Sequence, residues 1–207
     1  MSTRLEGSHL KKVFNRRVIF QDVSFNLHEH ETLVITGKNG SGKSTLMKIL
    51  GHVLTPTEGS VTISAPSGAG GSTAASPVGF VAPYLMMYDE FSAKENLAFA
   101  LAIRGMRPDP DSIDILLDKV SLGQRKHDPV RTFSSGMKQR VKYAFALVHR
   151  PGVLLLDEPM ANLDDEGIAC VRKIMEEQLQ TGILVVATND LTEVAKFDLQ
   201  VDLNANR

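Results

Sequence analysis

Residues 37 to 45 read Gly37-Lys-Asn-Gly-Ser-Gly-Lys-Ser-Thr45 and match the pattern G-x-x-x-x-G-K-[ST]. An apolar strand, Thr32 to Thr36, is predicted directly before this stretch, and a helix, Leu46 to Leu50, directly after it. Glycines leave the backbone N–H groups of such a turn free to point inward, and these donors form a cradle for phosphate oxygens at the helix N-terminus. We therefore predict a phosphate-binding loop, in which Lys43 reaches the β- and γ-phosphates and Ser44 offers its hydroxyl to Mg²⁺.

A pair of acids follows the most apolar segment of the chain. Val153 to Leu156 has the pattern of a buried strand, and it runs directly into Asp157 and Glu158. Two acids at the end of a buried strand cost free energy unless they have polar partners, and a metal ion with a water molecule meets this need. The alternative is that both acids only cap the helix that follows.

A third polar position lies after another buried strand, Ile183 to Thr188, which ends at Asn189. In open sheets with parallel strands, ligands bind outside the carboxyl ends of the strands. Because Gly37, Asp157 and Asn189 all follow predicted strands, we expect them to meet in a single site.

The composition limits the class of protein. With 207 residues the chain can bury one core, or one core and a small subdomain. A net charge of -1 indicates neither nucleic acid nor an anionic membrane surface as a partner. The single cysteine, Cys170, fits a reducing compartment. We find no apolar run long enough to cross a bilayer, so a role at a membrane requires a separate membrane-spanning partner.

The alternation of predicted strands and helices around the phosphate-binding loop indicates an α/β fold with a mostly parallel core sheet. The N-terminal part reads as short strands, and we predict an antiparallel β subdomain there. Helical patterns dominate from position 83, beginning with Ser92 to Arg104, whose Ser92 and Glu95 fit a capping box. We predict one domain, with the core and β subdomain over residues 1–82 and 151–207 and an α-helical insertion over about residues 83–150.

Two further segments carry local predictions. Ser64 to Pro77 is rich in small residues and is predicted to be a surface loop. The chain is predicted to end with a helix, Leu191 to Lys196, and a polar tail.

Together these motifs resemble the ATP-binding subunits of ABC transporters, in the order that the family has them and over nearly the whole chain. Gly37 to Thr45 is similar to the Walker A loop, and Phe133-Ser-Ser-Gly-Met137 to the signature sequence. Leu154-Leu-Leu-Asp-Glu158 resembles the Walker B motif with its following glutamate, and Ala161-Asn-Leu-Asp164 resembles the D-loop. Phe14 stands where the family has an aromatic residue that stacks on the base, although a core aromatic fits this position equally well. The resemblance implies a P-loop NTPase fold.

The resemblance also implies that two such chains, expected to be identical, pair head to tail around ATP and Mg²⁺ and drive a separate transmembrane permease. The permease would hold the chain at the inner, cytoplasmic face of the cell membrane. Catalysis is assigned to Lys43, Glu158 and Asn189, and Mg²⁺ to Ser44 and Asp157. The nucleotide contacts are assigned to Phe14, Gly37, Asn39, Gly40, Ser41, Gly42, Lys43, Ser44 and Thr45, and to Ser134, Ser135 and Gly136 of the second chain.

Several positions depart from the family pattern. Pro83 occupies the register of a glutamine that contacts Mg²⁺ and the attacking water, and Asn189 replaces a histidine. Ser135 and Met137 stand where glycine and glutamine are usual. We therefore expect an ATPase with intact binding and slow turnover, and the alternative is a regulatory module with little hydrolysis. The short length, the missing glutamine and the Ser-Gly signature are also similar to the ATPase of the haem exporter used in cytochrome c maturation.

The segment Pro83 to Phe91 is rich in methionine and aromatic residues. Its side chains either pack the helical insertion onto the sheet or line a cleft for a helix of the membrane subunit.

ABC-type ATPases that act on DNA or on the ribosome are the other alternative for the function of the chain. They need a long coiled-coil insertion or two ATPase domains, which this length does not allow.

Overall fold

Two β-sheets organise the protein, for which a computed structural model describes residues 2–64 and 77–205. The strands are β1 (Arg4–Phe14), β2 (Arg17–His28), β3 (Thr32–Thr36), β4 (Glu58–Ser64), β5 (Val78–Val81), β6 (Val153–Asp157), β7 (Ile183–Ala187) and β8 (Leu199–Asp202). The larger sheet has the order β5-β6-β7-β3-β8, and all its pairs are parallel. The smaller sheet has the order β2-β1-β4 and is antiparallel. The predicted α/β class, with a parallel core sheet and an antiparallel β subdomain, is confirmed.

Five α-helices connect and cover these strands in the described part of the chain. They are α1 (Lys43–Leu50), α2 (Ala93–Ala102), α3 (Pro110–Lys119), α4 (Ser135–Leu147) and α5 (Asp165–Gln178). The predicted capping box is present at α2, because Ser92 Oγ accepts a hydrogen bond from the backbone N–H of Glu95 and the Glu95 carboxylate accepts one from the Ser92 N–H. Ser134 and Asp164 cap α4 and α5 through their side-chain oxygens.

The parallel sheet is buried on both faces, which is why its strands read as continuous apolar runs. Alternate residues of β6 enter two separate apolar clusters. Leu154 and Leu156 pack with residues of α2 to α5, whereas Val153 and Leu155 pack with β1, β2 and α1. The core sheet is therefore a middle layer between helices on one side and the antiparallel subdomain with α1 on the other.

The central strands place the candidate site. β6, β7 and β3 are neighbours, and Asp157 at the end of β6 is in register with Ala187 at the end of β7. Ala187 is in turn in register with Ile35 of β3. The loops that follow these strands must therefore leave the sheet at the same edge, as the sequence predicts.

The C-terminal prediction is wrong. Instead of a helix over Leu191 to Lys196, only a short 3-10 turn forms, Leu191–Glu193, opened by Asp190 Oδ1, which accepts a hydrogen bond from Thr192 N. The expected polar tail contains β8, which pairs with the edge of β3. Backbone hydrogen bonds to that open edge stabilise an extended chain more than an isolated helical turn does.

The N-terminal strands are longer than the short strands predicted, because β1 continues through three irregular places in its pairing with β2 and one in its pairing with β4. The predicted surface loop lies in residues 65–76, outside the described residues. Among the residues that the structure describes, no helix is long and apolar enough to cross a membrane.

A buried histidine links the end of α4 to the start of β5. His149 is 8% exposed, and its Nε2 lies 3.1 Å from the carbonyl oxygen of Val78, so Nε2 carries the proton. Its Nδ1 is buried without a hydrogen-bond partner. Burial, together with the positive charge of Arg104, lowers the pKa of His149 to about 4, and the hydrogen bond to Val78 opposes this shift.

We predict a pH-dependent loss of stability from this histidine. Because the pKa is lower in the folded chain than in the unfolded one, the unfolded chain takes up the proton first as the pH falls. The contribution of neutral His149 to the free energy of unfolding is complete above about pH 6.5. It falls by up to about 3 kcal/mol as the pH decreases towards 4. Urea unfolding across this range should therefore give a flatter pH dependence for His149→Gln than for the native chain. The matched change His52→Gln, at an exposed histidine, should keep the native slope; equal slopes for His149→Gln and the native chain would contradict the assignment.

Candidate nucleotide-binding site

The loop between β3 and α1 has a backbone that only glycine adopts without strain. Gly37, Gly40 and Gly42 have φ angles of 144°, 74° and 110°. A Cβ atom on Gly42 would lie 2.5 Å from Ile19 Cγ2, and one on Gly37 would lie 2.5 Å from Ser41 Oγ. Glycine is therefore required at two of these positions by space as well as by backbone angle, and at Gly40 by angle alone.

The Lys43 ammonium is the centre of the site. Its residue is 6% exposed, and Nζ donates hydrogen bonds to the carbonyl oxygen of Gly37 at 2.8 Å and to Asn189 Oδ1 at 2.7 Å. Glu158 Oε1 lies 3.6 Å from the same nitrogen. The oxygens around Lys43 thus come from the segments that follow β3, β6 and β7, which brings the three predicted catalytic residues together.

Asn189 connects the two ends of the phosphate-binding loop. Its Oδ1 accepts from Lys43, while its Nδ2 donates to Asn39 Oδ1 at 2.6 Å. Asn189 therefore binds both the charged side chain of Lys43 and the neutral side chain of Asn39. Both sides of the amide group are used in these contacts.

Asp157 is a buried acid whose side chain has no hydrogen-bond partner. The residue is 1% exposed, and both carboxylate oxygens lack a partner. Burial raises the pKa of Asp157 and the charge of Glu158 adds to the rise, whereas Ser44 and the positive charges of Lys43 and Lys48 oppose it. A buried carboxylate in this state indicates a missing positive partner.

These residues fit a magnesium ion. Mg²⁺ prefers oxygen ligands and is usually bound by one or two carboxylates together with substrate phosphates and waters, not by a full set of protein ligands. The described residues contain no cluster of three or more His, Cys, Asp or Glu side chains suited to a metal. Asp157, with the exposed hydroxyl of Ser44 beside it, offers the kind of partial set that a metal–phosphate complex completes.

Glu158 has a strained backbone. Its φ angle is 51°, which is unusual for a residue with a side chain, and its N–H donates to the carbonyl oxygen of Ala187 at 2.9 Å. The turn leaves about a third of the side chain exposed, at 34%, next to Lys43. Backbone strain of this kind concentrates at functional sites, because the surrounding structure must hold it in place.

Comparisons with known proteins agree with this geometry. The family model described as ABC transporter matches residues 20–161. The chain belongs to the ABC transporter family. It is 34% identical to the lipoprotein-releasing system ATP-binding protein LolD of Hydrogenovibrio crunogenus, an alignment that covers 96% of this chain and 93% of that protein. It is 33% identical to the lantibiotic transport ATP-binding protein SrtF of Streptococcus pyogenes, over 92% of this chain and 82% of that one.

Solved structures have the same fold. The ABC transporter ATP-binding protein of Pyrococcus furiosus superposes with a TM-score of 0.81 at 20% identity, over 98% of both chains. A second ATP-binding subunit of an ABC transporter has a TM-score of 0.78 at 26% identity, over 91% of this chain and 80% of the other. The chain is therefore an ATP-binding subunit of the ABC type, and the resemblance predicted from its motifs is confirmed.

The segment that resembles the signature sequence forms the start of α4. Ser134 caps α4, its Oγ accepting from Met137 N at 3.2 Å, and Ser135 is the first residue of the helix. Both serines are exposed, and Gly136 is partly exposed. None of the hydrogen bonds that Ser134 makes among the described residues reaches the phosphate-binding loop.

Phe14 lies at the end of β1 in a hairpin whose turn residues, Asn15 and Arg16, have positive φ angles. Its ring is 44% exposed, and Lys12 Nζ lies 4.8 Å from the ring centre. This exposure excludes the alternative that Phe14 is a core aromatic. The ring is accessible to a flat partner.

The remaining residues that the sequence predicts to contact the nucleotide surround the start of α1. Asn39 and Gly40 are exposed at the turn, and Ser41 is buried with no partner for its hydroxyl. Ser44 is exposed and Thr45 is half-buried in the first turn of the helix.

Tyr84 follows β5 and was placed by the sequence only in an apolar segment. Its ring lies 4.2 Å from Lys48 Nζ of α1 and meets Phe80 edge-on. Burial raises the pKa of Tyr84 to about 12, and the negative charge of Asp157 adds to the rise.

Proposed function

We propose that this chain binds ATP with Mg²⁺, hydrolyses it between two copies of itself, and in doing so powers a separate membrane permease. The observation that carries the proposal is the Lys43 ammonium, which is held by Asn189 and Glu158 beside the buried, unpartnered Asp157. Strong positive and negative groups are thus fixed at the positions where a triphosphate and its metal ion need them. Membership of the ABC transporter family supports the same activity.

ATP binding would satisfy the groups that the chain leaves open. The inward N–H groups of the loop and the N-terminus of α1 attract phosphate oxygens, and Lys43 then exchanges part of its contact with Asn189 and Glu158 for the γ-phosphate. Ser44 and Asp157 would hold Mg²⁺, which would supply positive charge to neutralise the phosphate oxygens. The exposed ring of Phe14 would stack on the adenine base.

Hydrolysis would rest on Glu158. A water molecule attacks the γ-phosphorus, the bond between this phosphorus and the β–γ bridging oxygen breaks, and the Glu158 carboxylate accepts the proton that the water loses. The Asn189 amide can donate to a γ-phosphate oxygen once it releases Asn39.

Turnover would be slow for two reasons. Pro83 brings no polar side chain to the attacking water, and an asparagine at 189 does not titrate, unlike a histidine. Both changes affect the chemical step and leave the glycines and lysine of the phosphate-binding loop in place. Slow hydrolysis with normal binding is therefore the expected combination.

A second copy would complete the site. Ser134, Ser135 and Gly136 are accessible at the N-terminus of α4, where the helix dipole is positive and free N–H groups point outward. A partner facing head to tail would cover the γ-phosphate with this segment. We expect two identical chains to do so.

The permease would dock at a groove between the sheet and the helices. The groove has a volume of about 310 Å³ and is lined by Gly51, Val53, Val78, Phe80, Ala82, Tyr84, Leu85, Arg104, Phe145 and Ala146. Met86, 78% exposed, lies beside its lining residues Tyr84 and Leu85 in the chain, whereas Met87 packs against the core. In the segment after β5, Met87 thus packs inward, while Met86 is accessible and is available for the proposed docking. Docking there would place the chain at the cytoplasmic face of the membrane.

The central test is Glu158→Gln. Phosphate release should fall about 100-fold or more, because the proton acceptor is lost while the shape is kept. ATP should still bind, and an ATP-dependent dimer should accumulate and be measurable by light scattering. Glu177→Gln, which changes an acid on α5 paired with Lys119, should retain native activity. If Glu158→Gln releases phosphate at the native rate, Glu158 is not the base; if the native chain binds ATP and releases none, the regulatory alternative is correct.

Asn189→Ala should slow the chemical step. We expect single-turnover hydrolysis to fall about tenfold, because one donor to the γ-phosphate is lost. The matched change is Asn204→Ala. It removes an exposed amide that accepts a hydrogen bond from the backbone N–H of Lys38, a residue of the phosphate-binding loop, but that does not contact Lys43. Asn204→Ala should leave the rate close to native. An unchanged single-turnover rate for Asn189→Ala would remove Asn189 from the catalytic set.

Met86→Asp should separate docking from folding. Because Met86 is largely exposed, the change should leave the melting temperature and ATP binding close to native, while recovery of the chain with its permease from detergent-solubilised membranes is lost. Ile115→Asp, at a similarly exposed position on α3 outside the groove, should retain this recovery. Loss of the fold in Met86→Asp would favour a packing role for the segment.

A further inference from the structure

The turn that follows β6 must hold Glu158 in an unfavourable backbone conformation. The φ angle of Glu158 is 51°, and its N–H donates to the carbonyl oxygen of Ala187 at the end of β7. Strain of this kind persists only where surrounding contacts fix the backbone. The next residue, Pro159, has no N–H to donate, so its carbonyl oxygen is the polar backbone group through which the structure can hold it.

A tyrosine of α4 holds that carbonyl. The Tyr143 hydroxyl donates to the carbonyl oxygen of Pro159 at 2.6 Å, and both residues are buried. Burial raises the pKa of Tyr143, so the hydroxyl keeps its proton and acts as a donor. Among the described residues it is the only group that donates to this carbonyl oxygen. Removing the hydroxyl would therefore leave a buried acceptor without a partner.

Tyr143 lies on a face of α4 that meets the chain after β6 at two more places. Positions 136, 140 and 143 are spaced i, i+4 and i+7, so they share one face of the helix. Arg140 Nη1 lies 3.4 Å from Glu166 Oε1, and a Cβ atom on Gly136 would lie 3.9 Å from the carbonyl oxygen of Asn162. The hydroxyl is thus carried by a helix that already packs along this segment.

Packing explains the ring of Tyr143 but not its hydroxyl. The ring belongs to the apolar cluster on the helical side of the sheet, where phenylalanine would fill the same space. A buried hydroxyl costs free energy unless it has a partner, and here the partner is the residue directly after Glu158. Tyrosine at this position therefore stabilises the turn as well as the core.

We propose that Tyr143 is a positioning residue for Glu158: its hydroxyl fixes the Pro159 carbonyl, and with it the backbone that aims the Glu158 carboxylate at the attacking water. This inference rests on the proposed function, in which Glu158 accepts the proton of that water. Tyr143 acts through the turn and not by contact with the nucleotide.

The test removes the hydroxyl and keeps the ring. We would measure single-turnover ATP hydrolysis by the full native chain and by Tyr143→Phe, with each rate expressed per ATP-binding chain. The rate should fall about five- to tenfold, because one hydrogen bond that fixes the turn is lost. The affinity for a non-hydrolysable ATP analogue should stay within about twofold of native, because the phosphate-binding loop is unchanged.

The matched control breaks the same kind of contact at the other end of β6. Gln178 of α5 is 5% exposed, and its Nε2 donates at 3.2 Å to the carbonyl oxygen of Pro151, which precedes that strand. Gln178→Met should lower the melting temperature, as Tyr143→Phe should, but should keep the native single-turnover rate. The two variants therefore separate a loss of stability from a loss of positioning.

A double-mutant comparison shows whether Tyr143 acts through Glu158. In the Glu158→Gln background, Tyr143→Phe should cause no further loss of the residual rate, because the carboxylate that it positions is already absent. A residue that only supported the fold would lower the rate by the same factor in both backgrounds.

The inference is overturned by a native single-turnover rate in Tyr143→Phe or by an equal loss in the two backgrounds. Failure of Tyr143→Phe to fold would also overturn it, since the hydroxyl would then support the whole fold and not one turn. Each of these results would leave the proposed function intact, provided that the native chain hydrolyses ATP and Glu158→Gln is much slower. A native chain that hydrolysed no ATP would instead refute the proposed hydrolysis itself.

Discussion

A buried ammonium group at the start of a helix is the constraint on which this structure depends. Lys43 is nearly inaccessible and lies in the first turn of α1, where the positive end of the helix dipole opposes a cation. Such a charge costs several kcal/mol unless oxygen atoms surround it. The oxygens that do so belong to Gly37, Glu158 and Asn189, which are far apart in sequence and meet only because β6, β7 and β3 are parallel neighbours. The order of the strands in the sheet therefore determines whether the charge of Lys43 finds the oxygens that stabilise it.

The stabilisation of Lys43 leaves other groups unsatisfied. Asp157 has no partner for its carboxylate, Ser41 has none for its hydroxyl, and Glu158 holds an unfavourable backbone angle. Each has an energetic cost, and the buried apolar layers on both faces of the sheet supply the stability that tolerates it. A site organised in this way needs little rearrangement when a charged ligand arrives, because its dipoles and charges are already oriented.

The predictions that the structure confirmed rest on local sequence patterns. The glycine-rich loop, the capping box at Ser92 and the apolar run before Asp157 each depend on neighbours within a few residues, and the rule for parallel sheets then joined their ends. Strand β8 could not be found in this way, because only Val201 of its residues is buried and its pairing with β3 spans most of the chain. The double use of the Asn189 amide and the place of Tyr84 also depend on side-chain contacts between distant segments, which no local pattern encodes.

The sheet order relates the departures from the family pattern at positions 83 and 189 to each other. Pro83 follows β5 and Asn189 follows β7, and these strands lie on either side of β6, which ends in Asp157 and Glu158. In the proposed function, the grip on phosphate depends instead on the loop between β3 and α1, where the expected residues are all present. Apart from Ser135 and Met137 at the start of α4, the departures from the family pattern stand at the two positions that flank the acids. In the proposed function these two positions change the handling of water and protons and leave the loop around Lys43 as it is. In the proposed function, ATP binding and ATP turnover thus rest on different strands of one sheet, so the rate of hydrolysis could change while the ability to bind ATP is kept.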